Sequence, residues 1–266
     1  MEGTTTAALA TKAAHESGIH VELAAAKLGE FFGIPITSTV LMAWVVLLIL
    51  GVLALTLGPR LKMIPSRLQT LLEWAVEGVY DYITDVLGSR EMARKFFPLL
   101  MTIFLFFFVA NVIEFTPGIG SLGIHKDGEF LPLLRSLNSD LNVPLVMAII
   151  SFLTIEITGI VTLGAMMYAR KFFVNPLRDP LGAAVGLLEV IGDLVRVVSL
   201  SFRLFGNILA GEVVIVVATY FAPYGGPLPF MLFELFIGTL QAAIFALLTL
   251  FFIKLAITEP HGAEAH

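Results

Sequence analysis

The sequence predicts an all-α protein that crosses a membrane several times. Three observations carry this: 58% of the 266 residues are hydrophobic, only 14% are charged, and several apolar runs continue without interruption for the length of a bilayer crossing. An ordinary soluble domain is about half apolar and a quarter charged. About 20 apolar residues span a hydrocarbon core of about 30 Å, and inside that core an isolated segment satisfies its own backbone only as a helix. The mean hydropathy of +0.92 agrees. Cysteine is absent, which excludes disulfides, thiolate metal sites and cysteine nucleophiles. A net charge of −5 without a basic stripe excludes a nucleic-acid footprint.

Residues 1–37 read as an extramembrane segment. Met1 to Phe32 alternates charges and alanines and has no basic stretch feeding a short apolar core, so it does not resemble a cleaved signal peptide. A membrane-embedded domain follows over 38–258, with a short tail at 259–266. The first crossing runs from Ser38 to Leu57 and is closed by Gly58-Pro59, then Arg60, Lys62 and Arg67. From Ser66 to Leu87 the apolar residues fall at helical spacing, while Glu73, Glu77, Asp81 and Asp85 stripe the opposite side. Pro65 and the capping pattern Ser66-x-x-Gln69 mark the start of this amphipathic helix, which is expected to lie along the interface against another protein. The second crossing covers Phe96 to Glu114, and its run Phe104 to Phe108 reads as lipid-facing bulk. A polar, proline-bearing loop, Phe115 to Asn142, precedes a third crossing from Val143 to Tyr168.

The fourth element, Leu181 to Ala222, contains no proline. As one helix it would be about 63 Å long, at about 1.5 Å per residue, so it cannot stand upright in the bilayer. A fifth, Pro229 to Ile257, follows the turn Pro223-Tyr224-Gly225-Gly226-Pro227. These two are expected to form an antiparallel hairpin of long, tilted helices. Loop lysines and arginines orient the chain, because short basic loops stay cytoplasmic. Arg60, Lys62, Arg67, Arg90, Arg94 and Lys95 place the first connection inside, and Arg170, Lys171 and Arg178 the third. The N-terminus is then outside and the C-terminus cytoplasmic.

Ionisable groups within the fourth element are the sharpest functional signal, because a charge at bilayer depth costs at least about 2.5 kcal/mol. On an ideal helix of about 100° per residue, Glu189, Asp193, Arg196, Ser199 and Asn207 lie within about 80° of Arg203, and Glu212 lies about 180° away. In the fifth element Glu234 and Gln241 are nearly aligned and form a second stripe that can face the first. The plainer reading makes these residues ion pairs and hydrogen-bonded glue between helices. Arg203 resists it, since neither three nor four positions away is there an acid to neutralise it.

The run Ser201-Phe202-Arg203-Leu204-Phe205-Gly206-Asn207-Ile208-Leu209-Ala210-Gly211-Glu212 closely resembles the signature of subunit a of F-type ATP synthases. Thr239-Leu240-Gln241-Ala242, Glu189, Asn138-Ser139-Asp140-Leu141-Asn142 and the hydropathy plan extend the resemblance over most of the chain beyond Ser38. It implies a stator that carries protons through two half-channels to and from a rotor c-ring, with Arg203 facing the rotor carboxylates and blocking direct leakage. It also implies that Asn207, Glu212, Glu234 and Gln241 line the inlet half-channel, and that Glu189, Ser199 and Asp193 lie toward the outlet. Some members pair a carboxylate with a histidine at the positions of Glu212 and Glu234, whereas both are acidic here.

The implied partners are the c-ring, peripheral-stalk b subunits and membrane lipid, in a bacterial inner membrane. No cofactor or metal is expected, because the five histidines lie in tails or a loop and no Walker loop is present. Nucleotide chemistry would belong to other subunits. Glu156 in the third crossing, and Asn111 with Glu114 at the end of the second, are further candidates for a channel. Lys254 reads as snorkelling to the inner interface. The rival reading is a self-contained secondary transporter or channel.

Overall fold

A computed structural model describes residues 27–31, 34–57, 66–116, 123–126, 129–132, 135–172 and 180–258. Strand β1 (Lys27–Phe31) pairs antiparallel with β2 (Ile34–Thr37), which leads into α1 (Ser38–Leu57). Then come α2 (Arg67–Leu87) and α3 (Arg90–Glu114). A second antiparallel pair, β3 (Gly123–Lys126) and β4 (Glu129–Pro132), precedes a single 3-10 turn at Leu137–Ser139. The chain continues with α4 (Asn142–Leu163), α5 (Ala165–Phe172), α6 (Pro180–Phe221) and α7 (Pro227–Ile257). Helices α1, α3, α4, α6 and α7 are each long and apolar enough to cross a membrane. The protein is therefore an all-α, multi-pass architecture whose only strands, among the described residues, are these two short hairpins. Residues 1–26, the tail 259–266 and the basic residues Arg60, Lys62 and Arg178, on which the sequence reading also drew, lie outside the described residues.

Local chemistry sets the helix ends. The Ser66 hydroxyl accepts the Gln69 backbone N–H and starts α2, and the Gln69 amide donates onward to Glu73 at 2.7 Å. Gly88 ends the same helix at φ +72°, a left-handed conformation natural to glycine. The final carbonyl, on Leu87, accepts the Lys254 ammonium at 3.2 Å. Lys254 thus holds a helix C-terminus, where the dipole favours a cation. Helix α3 begins at Arg90 behind a Ser89 cap and continues through Pro98, six residues ahead of the apolar run.

Two apolar clusters form the core. One joins Met42 and Val46 of α1 to Ile103, Phe107 and Ala110 of α3, Leu204 of α6 and Phe245 of α7; the other joins Ile83 of α2 to Phe96, Ile155 and Ile253. The phenylalanine run is not all lipid-facing: Phe106 and Phe107 are buried, and the Phe107 ring lies 5.0 Å from that of Phe245. Consecutive helical residues sweep 100° apart, so a run of five must send part of itself inward. Helix α7 contributes to both clusters and is central. Helix α6 buries only 11% of its most apolar window, against 39% for α7 and 44% for α3, so one flank of it is left bare.

The third crossing stops earlier than its hydropathy suggests. Gly164, at φ +84°, breaks the helix after Leu163, and α5 turns back so that Tyr168 packs against Gly159, where a Cβ would run into the phenol ring. In contrast α6 is continuous over its 42 residues, as its freedom from proline predicts. It is joined to α7 through a turn in which Gly225 adopts φ +86°.

Candidate functional site

Arg203 stands on the bare flank of α6, between two polar clusters that the fold assembles from different elements. Its side chain is exposed, and among the described residues its only hydrogen bond runs to Ser199 Oγ at 3.5 Å. Neither ion pair seen among those residues, Arg135–Glu212 and Arg196–Asp193, includes it. Phe202, Gly206, Asn207 and Ala210 share the exposed flank. A Cβ at Gly206 would meet nothing within 4 Å, so packing inside this chain does not require a glycine there.

The first cluster fills the space between the end of α3, the turn before α4, the second half of α6 and the first half of α7. Asn111, fully buried, donates to the Gly238 carbonyl at 2.8 Å and accepts from Asn138 at 2.8 Å. Ser136 donates to Glu114 at 2.6 Å, and the Arg135 guanidinium approaches Glu212 to 3.6 Å. Across the hairpin, Asn207 donates to Gln241 at 2.9 Å, so the two stripes do meet. Glu234 is only 4% exposed, and neither of its carboxyl oxygens has a hydrogen-bond partner among the described residues. A cleft lined by Asn207, Gly211, Phe230, Phe233 and Glu234 opens beside it. Burying a carboxylate without a partner costs several kcal/mol, and water from that cleft is the natural solvation.

Two glycines make room for these contacts. A Cβ on Gly238 would come within 2.9 Å of the Asn111 amide, and one on Gly211 would collide with the Glu234 carboxyl. Alanine in a helix is about 1 kcal/mol better than glycine, and the colliding atoms at Gly211 are the free end of a flexible side chain. Gly211→Ala is therefore expected to leave folding intact, with a thermal midpoint within a few degrees of wild type, while displacing the Glu234 carboxyl toward the cleft. A strongly lowered midpoint would show that the Glu234 carboxyl has nowhere to move.

The second cluster lies toward the other end of α6. Arg196 pairs with Asp193 at 2.8 Å and stacks its guanidinium 4.0 Å over the Phe252 ring. Tyr168, on α5 beyond the span, donates to Glu156 at 2.9 Å. Burial first, then the bond to Glu156 and the charges of Glu156, Asp193 and Glu189, hold this phenol well above its ordinary range, so it remains a proton donor at neutral pH. Ile155, Leu255 and Ala256 close the pocket around these groups. The ideal-helix stripe is thus divided: Asp193 and Arg196 turn inward, while Ser199, Arg203 and Asn207 stay exposed. Among the described residues no group of His, Cys, Asp and Glu is arranged to hold a metal ion.

Every site residue read from the sequence lies in or between these clusters: Asn207, Glu212, Glu234 and Gln241 in the first, Asp193 in the second with Glu189 beside it, Ser199 next to Arg203. Glu114 and Asn111 join the first, and Glu156 the second. Sequence reasoning passed over Arg135 and Ser136, which it treated as loop, and Tyr168, which it treated as the end of a crossing. Only the polar character of the stretch from Arg135 to Asn142 hinted at the first pair.

Residues 40–254 match the family model described as ATP synthase A chain. The ATP synthase subunit a of Trichlorobacter lovleyi is 34% identical over 224 residues, 84% of this chain and 89% of the relative. That of Moorella thermoacetica is 32% identical over 83% of this chain and 90% of its own length, and that of Campylobacter fetus 34% identical over 76% and 82%. With the family model covering most of the chain and relatives matching three quarters or more of it, this protein belongs to the ATP synthase subunit a family, a non-catalytic membrane subunit of that complex.

Proposed function

We propose that this chain is the stator element that conducts protons to and from a rotor c-ring, coupling ion flow to rotation. The observation that carries the reading is Arg203: a permanent cation on the bare flank of a membrane helix, unpaired by any carboxylate among the described residues. A cation in lipid needs a counter-charge, and a carboxylate on a neighbouring subunit supplies one. The guanidinium holds a carboxylate through charge-assisted hydrogen bonds and does not give up its own proton. It therefore separates two routes without joining them.

The cluster of Asn207, Glu212, Glu234 and Gln241 serves as the inlet half-channel, and Glu189, Asp193 and Ser199 serve the outlet. A proton enters through the first, neutralises a rotor carboxylate, travels with the ring, and leaves through the second. Each elementary charge that moves across the membrane contributes about 2.3 kcal/mol per 100 mV. The orientation has the N-terminus outside and the C-terminus cytoplasmic, in a bacterial inner membrane. The acidic side of α2 meets peripheral-stalk b subunits. Residues 38–258 form the membrane domain that does this work.

Because the chain has no cysteine, single engineered thiols report cleanly on what covers α6. Gly206→Cys and Phe202→Cys are expected to form disulfides with a cysteine placed beside the membrane carboxylate of the rotor proteolipid, in the assembled synthase. Val161→Cys, on the lipid-exposed side of α4, is expected to form none. Failure of both α6 thiols to cross-link in an assembled complex overturns the reading. So does rapid proton transport by the chain reconstituted without partners, which is the signature of a self-contained channel.

A further inference from the structure

The turn that closes the first cluster is built more firmly than a connecting loop requires. Ser136, Leu137, Asn138 and Ser139 are all buried. Ser136 and Asn138 tie the turn to Glu114 and Asn111 of α3. At its far end Asp140 accepts from Thr39 of α1 at 3.1 Å and from the Asn142 backbone at 3.0 Å. Both ends being fixed, Arg135 is delivered to Glu212 with only 14% of its side chain exposed. The charged groups around it come from three helices: Glu212 from α6 lies 3.6 Å from it, Glu114 from α3 is bonded by the neighbouring Ser136 at 2.6 Å, and Glu234 from α7 is buried in the same cluster. Asp140 is engaged on the α1 side.

Three carboxylates thus gather in one largely buried space, and Arg135 is the cation that the turn brings to them. We propose that Arg135 is a positioning residue for proton delivery, its guanidinium holding the Glu212 carboxyl in place within this chamber so that an arriving proton is passed on instead of being trapped. This rests on the proton-translocation reading above. A relay works when donor and acceptor bind the proton with similar strength. Three like charges confined together hold a proton tightly, and an adjacent cation relieves that. Arg135 acts through Glu212 and does not itself carry the proton, because a guanidinium does not deprotonate at accessible pH.

The test uses the complete synthase in proteoliposomes, with ATP synthesis measured as the pH of the inlet compartment is varied at constant driving force. Arg135→Ala is expected to slow synthesis about ten-fold and to move the midpoint of the inlet-side pH profile upward by about one unit. The sign follows because carboxylates without the cation fill with protons at lower proton concentration. Arg135→Lys, which keeps the charge, is expected to recover most of the rate and the wild-type midpoint. The double variant Arg135→Ala with Glu212→Gln removes a positive and a negative charge together, and its midpoint is expected to return toward wild type. Arg135→Gln serves if the alanine variant fails to assemble. A slower enzyme with an unmoved midpoint overturns the proposal, since a turn that merely holds structure alters rate without altering proton affinity. Arg203→Ala in the same preparation separates the two levels. Synthesis surviving in that variant sinks the translocation reading itself, whereas loss there with a wild-type profile in Arg135→Ala sinks only the role of Arg135.

Discussion

Replacing Arg203 with alanine is expected to abolish proton-driven ATP synthesis while the subunit still folds and assembles. The two halves of this expectation rest on different observations. Folding survives because the side chain is exposed and its hydrogen bond to Ser199 is long, at 3.5 Å. Its removal leaves no buried partner charge uncompensated, and substitutions of that kind usually shift stability by no more than about 0.5 kcal/mol. On the function proposed above, coupling is lost because nothing else on this flank, among the described residues, carries a fixed positive charge, so a rotor carboxylate would lose its partner and the two clusters their barrier. Arg203→Lys tests the chemistry further. Lysine retains a charge but loses the planar fork, and when desolvated it can release its proton, so it is expected to remain strongly defective. Synthesis driven by an imposed proton gradient, with assembly followed by co-purification in mild detergent, measures both halves. Normal synthesis in the alanine variant would remove Arg203 from the mechanism.

The second large effect is expected at Glu234. Its carboxyl is buried against Gly211, has no hydrogen-bond partner among the described residues, and borders the cleft beside Asn207. A buried carboxyl without a partner costs stability, and the role proposed for it above is proton handling. Glu234→Gln keeps the shape and removes the titratable proton. Proton flux, followed by quenching of a pH-sensitive dye in inverted vesicles, is expected to fall by roughly a hundred-fold. Glu212→Gln is expected to reduce flux less completely, because Glu212 already shares its charge with Arg135 at 3.6 Å. Unchanged flux in both variants takes the two carboxylates off the path.

Much of the fold was legible in the residues before any coordinates. The first crossing runs from Ser38 to Leu57 in both sequence and structure, and the Ser66 cap and the unbroken α6 are equally direct. These are properties of short stretches of chain: apolar length, a capping hydroxyl, a stretch free of proline. That the two polar stripes face each other was also readable, since helical periodicity fixes which residues share a face and the turn at Pro223 to Pro227 makes the two helices antiparallel neighbours; the bond between Asn207 and Gln241 is where they meet. Where reasoning from hydropathy went astray, the cause was local in each of two places. Gly164 reverses the chain inside an apolar run, and the Phe104 to Phe108 run rotates through the core as well as the lipid.

By itself, then, the sequence determined the class of molecule, its crossings and the lone Arg203, because bilayer solvation and helix periodicity act on neighbouring residues. What only the tertiary structure decided is which distant groups share a chamber. Arg135 meets Glu212, Ser136 meets Glu114, Tyr168 meets Glu156, and Lys254 holds the end of α2. Such meetings depend on how loops fold back and how helices pack, and no spacing along a chain encodes the distance between two charges brought together from different helices.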